Sequence, residues 1–596
     1  MNAVIKKIAF ISIILLLPNV FVAQNIPQHI SYYRIYDFID ELAIDRIINI
    51  NSVSKPYSRN FIAQKLLEAQ AKDSLLTKRQ KADLKFFLND YAIELDTLPK
   101  SYVHWSNKRT FDLSLVQPAF QYRDKYFKCR ITPLLGMDVI ANTADKANKG
   151  VILKRWFGAD FQATIVNHIS VWASYRDQSY YGKFLNTKAG LAAKDARISN
   201  YNYLNNLPGC QYKEAEYGGD YSDMRGGIKA YTWWGSIGLV KDNLVWGDSY
   251  SCSNIISGRA PSFPMLTLNL KPCTWFELNY IHGWLISNVL DSTNYYIEEN
   301  GNGTKINYRP YNKFIAANML TFTPIKGLDL SLGNSIIYAE RNVQAAYFIP
   351  IAFYKSIDHL LTKGVQTENQ NSQVFFNISS RNIKHLHLFA SVYIDEFSIS
   401  RLKKNNPQEN PISYKVGFNV SNWPLKNLSL VGEFTRTNII NYKHSIQQLT
   451  WASNSYCLGH YLGDNTQEIY VALNYKPIRS LNLNLSYSNA RKYKDYEYVR
   501  RGADGSSLIS TIIAQKPFNE MVWENDLVSL KATYEIFNNA YAVINLEWNN
   551  ARGYTPKSDP IEGENRLTKQ GYLDLYTPKF YQGENFTITC GLSFGF

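Results

Sequence analysis

Apolar and polar residues alternate along the end of the chain, residues 585–596. Phe586, Ile588 and every second residue after them are apolar, and the residues between them are small or polar. Successive side chains of a β-strand point to opposite faces, so the pattern predicts a strand with one apolar and one polar face. A strand of a soluble β-sandwich is the alternative interpretation, although such a chain rarely ends on an apolar residue.

The pattern near the N-terminus has a helical period instead. From Ser31 to about Leu95, apolar residues recur every three or four positions, as on one face of an amphipathic helix. Ser58 is placed to cap one helix, and Thr77 with Gln80 forms a capping box before another. The pattern predicts a module of three short helices over residues 24–100.

Beyond Lys100 the period changes to two. Residues 469–475 and 481–487 form the clearest pair, separated by a short turn that contains Pro477. Similar turns recur around Lys271-Pro272, Pro324, Arg381-Asn382, Pro424 and Asn538-Asn539, whereas the connections at the other strand ends are long and polar. Short turns at one end and long loops at the other are typical of an outer-membrane barrel whose short turns face the periplasm.

The alternation predicts an all-β transmembrane barrel of about eighteen antiparallel strands over residues 126–596, with sixteen or twenty strands as alternatives. The first six strands are expected near 126–140, 151–165, 168–178, 226–240, 244–250 and 264–271, with a long loop at about 179–225. Residues 110–118 also alternate, but one more strand would make the number odd. We therefore place them outside the wall, in a linker over 101–125.

The composition agrees with export to a membrane. Lys6 and Lys7, the apolar run 8–17 and Ala23 predict a cleaved signal peptide over 1–23. The mean hydropathy is only −0.28 and no later stretch approaches eighteen apolar residues, which excludes a helical membrane protein. The 43 tyrosines and 12 tryptophans fit the aromatic belts of a barrel, although a tyrosine-rich soluble β-protein remains the alternative.

The net charge, the cysteines and the histidines indicate which classes of function are expected. The net charge of +14 is spread along the chain, which favours an anionic glycan or lipid head group over nucleic acid, with a solvated basic surface as the alternative. The six cysteines are scattered without metal-ligand spacing, so we expect no metal and no cofactor. The nine histidines show no catalytic grouping, and we expect a protein that is not an enzyme.

Several segments together resemble the capsule assembly Wzi family. They are Tyr36-Asp37-Phe38-Ile39-Asp40-Glu41-Leu42, Lys55-Pro56-Tyr57-Ser58-Arg59, the run 246–264, the run 271–283 and Tyr393-Ile394-Asp395-Glu396-Phe397. The long loops, rich in Tyr and Asn, are similar to the Bacteroidetes branch. The resemblance implies an eighteen-stranded outer-membrane barrel with a periplasmic helical bundle that attaches capsular polysaccharide at the cell surface. It also implies contact with outer-membrane lipid and with the barrel assembly machinery during biogenesis.

The first candidate polysaccharide-binding site is the loop 246–264. Trp246 is suited to stack on a sugar ring, and Asp248 and Arg259 are suited to hydrogen-bond hydroxyls or a glycan carboxylate. The alternative is a loop that folds into the lumen, where these charges pair with the wall. Trp275, His282 and Trp284 flank the next turn, where a Trp is also expected as an anchor at the membrane interface.

The second candidate is a basic and aromatic run at the start of a predicted external loop. It includes Arg491, Lys492, Tyr493, Arg500 and Arg501, whose charges and rings are suited to an anionic polymer. The alternative is a strand that continues above the membrane with a solvated basic face. A different function also stays open, because an eighteen-stranded barrel is wide enough for a solute pore unless loops fill it.

Overall fold

The computed structural model is a closed barrel with helices at one end. It describes residues 26–97, 103–104, 110–113, 120–143, 151–166, 168–186, 210–215, 217–300, 303–361, 370–397, 399–402, 409–454, 456–494, 516–558, 567–577 and 581–595. Among these residues, no helix is both long enough and apolar enough to cross a membrane.

Eighteen antiparallel strands form the wall, which confirms the predicted number. They are β1 Phe127–Asn142, β2 Val151–Ile165, β3 Ile169–Asn186, β4 Tyr217–Thr232, β5 Gly235–Asp242, β6 Phe263–Cys273, β7 Phe276–Leu285, β8 Lys313–Ile325, β9 Leu328–Tyr338, β10 Gln370–Ser380, β11 Leu386–Ile394, β12 Ile412–Ser421, β13 Leu428–Thr437, β14 Thr466–Ile478, β15 Leu481–Tyr493, β16 Met521–Phe537, β17 Ala540–Gly553 and β18 Gly583–Phe594. Strand β18 closes the ring against β1, with Phe594 opposite Leu135.

The two faces of the last strand are as predicted. Phe586, Ile588 and Leu592 are exposed on the outside of the barrel, whereas Asn585 and Thr587 are buried in the lumen. Side chains that face lipid are apolar because hydrocarbon offers no hydrogen-bond partner.

Prolines mark the periplasmic ends of three hairpins, but they lie just before the turns rather than in them. The pairing shifts register between Leu270 and Cys273, where Pro272 lies, and the same shift surrounds Pro324 and Pro477. A proline has no amide hydrogen for the ladder, so a β-bulge is one of the few places in a sheet that accepts it.

Three early predictions of strand positions were wrong. Segment 226–240 contains the turn between β4 and β5 at Trp233-Trp234, which carries none of the usual turn residues. Segment 244–250 leaves the wall and enters the lumen. The loop predicted over 179–225 is partly strand, because β3 extends to Asn186 and β4 begins at Tyr217.

The predicted helices are present as α1 Tyr33–Ile44, α2 Arg59–Gln70 and α3 Lys78–Asp90. The hydroxyl of Ser58 accepts a hydrogen bond from the amide of Phe61, and Thr77 with Gln80 forms the capping box. The apolar stripes pack on one another through a core that includes Phe38, Leu42, Ile62, Leu66 and Leu84.

This helical module, residues 26–97, closes the periplasmic end of the barrel. Asp40 of α1 pairs with Arg381 at 2.7 Å, and Asp45 lies 2.9 Å from His385. Arg34 pairs with Glu535 at the end of β16, about a third of the way around the ring. These partners come from the turns or strand ends of two hairpins, β10–β11 and β16–β17, so the module is held at two separate places on the rim.

The linker region contributes a small sheet extension at the same end. Thr110–Leu113 pairs with Phe120–Arg123, which in turn pairs with residues 128–131 of β1. These short strands lie outside the closed ring of eighteen.

Smaller elements occupy the connections. The helices are α4 Tyr354–Leu361 and α5 Lys569–Tyr576, and the 3₁₀ turns are Asp73–Leu75, Ala345–Phe348, Ile399–Leu402 and Gln447–Leu449. The short strands are Ser54–Lys55, Val103–His104, Cys210–Ala215, Val245–Trp246, Leu290–Asn300, Gly303–Pro310, Ala452–Ser453 and Tyr456–Cys457.

Candidate functional site

The connection between β5 and β6, residues 243–262, folds into the lumen and is called the inward loop. Val245–Trp246 pairs as a short antiparallel ladder with Ser54–Lys55 of the helical module. The amide of Gly247 continues this ladder to the carbonyl of Val53, with a φ of +95° that favours glycine. The inward loop and the helical module are therefore joined by backbone hydrogen bonds inside the barrel.

Polar groups of the inward loop are matched to the wall. The Asp248 carboxylate accepts hydrogen bonds from Ser52 and, at 2.7 Å, from Asn377 of β10. Glu433 of β13 accepts hydrogen bonds from the backbone of Ser251 and pairs with Lys415 at 2.8 Å. These contacts are buried, so each charge has its partners away from water.

The external connection between β13 and β14, residues 438–465, also turns inward. The indole nitrogen of Trp451 donates to the carbonyl of Ile255 at 3.0 Å, and the Tyr442 hydroxyl donates to the carbonyl of Asn254 at 2.6 Å. Both residues pack against Tyr393 of β11, with ring centroids 5.3 Å and 5.1 Å apart. This loop covers the inward loop from the extracellular side.

The three inward elements and the wall share one apolar core. It includes Val53 of the helical module, Trp246 and Ile255 of the inward loop, Leu449 and Trp451 of the 438–465 loop, and wall residues such as Met265, Ile315, Ile337 and Phe375. A water-filled channel is lined by polar side chains, whereas this part of the lumen is filled by packed apolar side chains.

The first predicted site thus lies within the lumen. Trp246 is fully buried, with its ring centroid 5.9 Å from that of Phe375, and Asp248 is buried beside Asn377. Arg259 donates to the carbonyl of Ser251 at 3.1 Å and lies near the ring of Tyr461. These positions agree with the alternative of a loop folded into the lumen and leave Trp246 and Asp248 away from an external polymer.

The three residues around the next hairpin do not meet in one site. Trp275 is 57% exposed at the periplasmic turn and stacks on Phe322, as an anchor at the membrane interface would. His282 and Trp284 face the outside of the wall near its extracellular end. His282 is buried there, and its Nε2 lies 2.7 Å from the hydroxyl of Tyr338.

The second predicted site divides between the two faces of β15. Arg491 points outward and pairs with Glu524 at 2.9 Å, whereas Lys492 points inward and donates to the carbonyls of Leu462 and Asp464. The ring of Tyr493 packs against Phe518. Arg500 and Arg501 lie outside the described residues. Lys492 is buried, so its ammonium group holds the 438–465 loop rather than facing an external polymer.

The connection between β7 and β8 forms a projecting hairpin that was not predicted from the sequence. Leu290–Asn300 and Gly303–Pro310 pair with each other and not with the wall. Tyr295 and Tyr308 lie opposite one another, and Arg309 lies 5.8 Å from the ring centroid of Tyr296. All three tyrosines are about half exposed. The repeated Asn-Gly pair at 300–303 was the sequence signal for a hairpin here.

Titration behaviour at the periplasmic contact follows from its charges. Burial alone would raise the pKa of Asp40, but Arg381, His387 and the hydrogen bond donated by Tyr250 outweigh burial and lower that pKa to about 2. Asp40 is therefore a carboxylate at neutral pH. Among the described residues, no group of three His, Cys, Asp or Glu side chains is arranged to hold a metal ion.

These features define an outer-membrane β-barrel whose lumen is plugged by its own loops and by a periplasmic module. The chain belongs to the family of the capsule assembly protein Wzi, whose model matches residues 156–552, about two thirds of the chain. No curated protein sequence matches it.

A solved structure supports the fold. The chain is similar to Wzi of Escherichia coli, described as a carbohydrate-binding β-barrel involved in group 1 capsule assembly, with a TM-score of 0.53 and 10% identity, covering 96% of this chain and 100% of that one. OccAB2 of Acinetobacter baumannii aligns with a TM-score of 0.40 and 9% identity, over 78% of this chain and 97% of that one.

Proposed function

We propose that this protein attaches capsular polysaccharide to the cell surface as a non-enzymatic binding protein of the outer membrane. Membership of the capsule assembly family supports this function. The observation that carries it within the structure is the apolar core of the lumen, in which Trp246, Trp451 and Phe375 pack together. A lumen occupied by the protein's own loops favours the external face as the working surface over the alternative, a solute pore.

The projecting hairpin is the external surface best suited to a glycan. Tyrosine rings stack on the apolar faces of sugars while their hydroxyls remain free to hydrogen-bond. Arg309 beside Tyr296 adds a cation for a carboxylate or sulfate group of an acidic polysaccharide. Arg491 lies on the external part of β15 and adds a second, separate cation.

The test uses a strain that lacks the protein and is complemented with full-length variants. We expect Tyr295→Ala, Tyr296→Ala and Tyr308→Ala combined to increase the polysaccharide shed into the medium and to lower glycan binding by the purified barrel. Loss of three stacking contacts of about 1 kcal/mol each corresponds to about a hundredfold weaker affinity.

The matched control changes charged residues of the same hairpin and leaves its tyrosine rings in place. Glu298→Gln with Lys305→Gln replaces a facing pair of charged residues on that hairpin and should leave retention unchanged. Normal capsule retention in the complete absence of the protein, together with no glycan binding by the wild-type protein, would contradict the proposed function. Large, stable conductance steps in planar bilayers would favour the pore instead.

A further inference from the structure

Two asparagines lie on the outer face of the wall, where lipid-facing residues are normally apolar. Asn318 of β8 and Asn334 of β9 are opposite each other in the sheet. They belong to the same outward row as the exposed Phe322, Leu330 and Leu332, which lie closer to the periplasm. An unpartnered amide in hydrocarbon costs several kcal/mol, so these two side chains require polar partners.

The partners come from the external connection between β9 and β10. Residues 343–361 of this connection fold back against the outside of the barrel and are called the outer-wall segment. Asn318 and Asn334 both donate to the carbonyl of Ala352, at 2.9 Å and 3.1 Å, and Asn334 accepts a hydrogen bond from the amide of Tyr354 at 2.9 Å. The asparagines are therefore a specific seat for this segment.

An aromatic cluster extends the seat toward the extracellular end. The Tyr280 hydroxyl donates to the carbonyl of Tyr347 at 3.0 Å. The rings of Tyr338 and Tyr347 lie 4.9 Å apart, and His282 stacks on Phe348 at 4.5 Å. The predicted site residue His282 thus helps to hold the outer-wall segment.

The height of the seat on the wall follows from the strand register. Asn334 lies seven residues beyond Gly327, which is in the periplasmic turn. At about 3.3 Å per residue and a tilt of about 40°, this distance corresponds to roughly 18 Å along the membrane normal. The apolar band of such barrels is about 25 Å tall, so the outer-wall segment begins within the outer leaflet.

The other side of the outer-wall segment is apolar and uncovered. Ile351 is 69% exposed, Phe353 53% and Leu360 73%, and Ile349 is half exposed. These side chains continue the apolar surface formed by Leu330 and Leu332 below them. Because the lower wall already faces lipid, continuity favours lipid over a second copy of the chain or another protein.

We propose that the outer-wall segment is a lipid-binding surface that replaces acyl chains on one sector of the wall and inserts Ile351, Phe353 and Leu360 into the outer leaflet. The segment anchors this external loop beside the projecting hairpin, which continues from β7 on the same side of the barrel. The proposal does not depend on the glycan that the protein binds.

Photo-crosslinking on intact cells tests the occupant directly. p-Benzoylphenylalanine is placed at Phe353 or Leu360 of the full chain, and the adducts are separated by mass. We expect lipid adducts at both positions, several-fold above those at Leu75, an exposed residue of the periplasmic module. Adducts to a second copy or to another protein, or a lipid yield equal to that at Leu75, would overturn the proposal.

A second variant tests the seat. Asn318→Leu with Asn334→Leu removes the three hydrogen bonds but leaves an apolar wall that lipid can cover. We expect the lipid adduct at Phe353 to fall about tenfold, as the loss of roughly 1–2 kcal/mol of docking energy implies. Retention of the heat-modifiable folded band on gels controls for barrel assembly. An unchanged adduct yield in a folded variant would show that the asparagines do not place the segment in lipid.

Discussion

The two faces of the barrel wall follow different physical rules. Outside, exposed apolar rows such as Leu330 and Leu332 meet lipid, and the asparagine pair of β8 and β9 lies where a folded-back segment satisfies its amides. Inside, the same strands surround an apolar core with buried ion pairs such as Lys415 with Glu433. The inner face packs against the plug and the outer face against the membrane. The same substitution on the two faces should therefore lower the free energy of unfolding by different amounts.

The largest expected effect contrasts two tryptophans. Trp246→Ala removes a fully buried ring from the core of the lumen and should lower the free energy of unfolding by about 4 kcal/mol. Trp275→Ala is the matched control, because Trp275 is exposed at the periplasmic interface and should cost about 1 kcal/mol or less. Urea unfolding of the vesicle-inserted protein measures both. Equal costs would contradict a packed lumen.

The next effect concerns a charge inside the lumen. Lys415→Met leaves the Glu433 carboxylate buried without its cation and should cost about 3 kcal/mol. The double variant Lys415→Met with Glu433→Leu removes both charges and should recover much of that loss, although Tyr250 and Ser251 lose an acceptor. The same unfolding measurement applies. A single variant as stable as the wild type would mean that water reaches Glu433.

The contact between module and barrel should be sensitive to acid. The pKa of Asp40 is about 2, below its ordinary value of 3.8, so its pairing with Arg381 stabilises the fold above pH 4. This stabilisation is lost as the pH falls from about 4 to 2 and amounts to about 2 kcal/mol. Unfolding free energies between pH 6 and pH 2 measure it. The Asp40→Asn variant should lack this part of the pH dependence, and an identical acid profile would contradict the assignment.

The smallest effect lies on the external strand ends. Arg491→Gln breaks the pair of the exposed Arg491 with Glu524, which Arg552 still neutralises, and should change stability by less than about 1 kcal/mol. Together with Arg500→Gln and Arg501→Gln it should reduce retention of an acidic polysaccharide. Lys492→Met serves as the contrasting variant, because it removes a buried cation from two carbonyls and should cost more stability. A shedding assay and urea unfolding separate the two roles. Unchanged retention in the triple variant would exclude this run as a glycan contact.

Alternation predicted the number of wall strands and most of their positions, but not the contents of the lumen. The lipid-facing rows of β14, β15 and β18 repeat strictly, because only apolar side chains are stable in hydrocarbon. The inward loop has no such constraint, and its partners Ser52 and Asn377 are distant in sequence. Hydrogen bonds between residues so far apart in the sequence can be identified only from the folded structure.

The candidate site residues also show which positions can be predicted from the sequence and which cannot. Arg491 and Lys492 are neighbours on a strand, so the period of two already required that one point outward and the other inward. That signal was available in the sequence and separates an external cation from a structural one. The positions of His282 and Trp284 beneath the outer-wall segment had no sequence signal, because a loop that folds down outside a barrel carries no periodic pattern of its own.

The seam between the last and first strands has a consequence for how the ring closes. Strand β18 stops opposite Leu135, while residues 128–131 of β1 are already occupied by Phe120–Arg123, which come from just upstream in the chain. The upstream strand therefore limits how far β18 can extend along this edge toward the periplasm. A shift of β18 by one residue would turn every lipid-facing side chain of that strand into the lumen. A larger shift toward the periplasm would bring β18 to residues 128–131, whose backbone groups are already hydrogen-bonded to Phe120–Arg123.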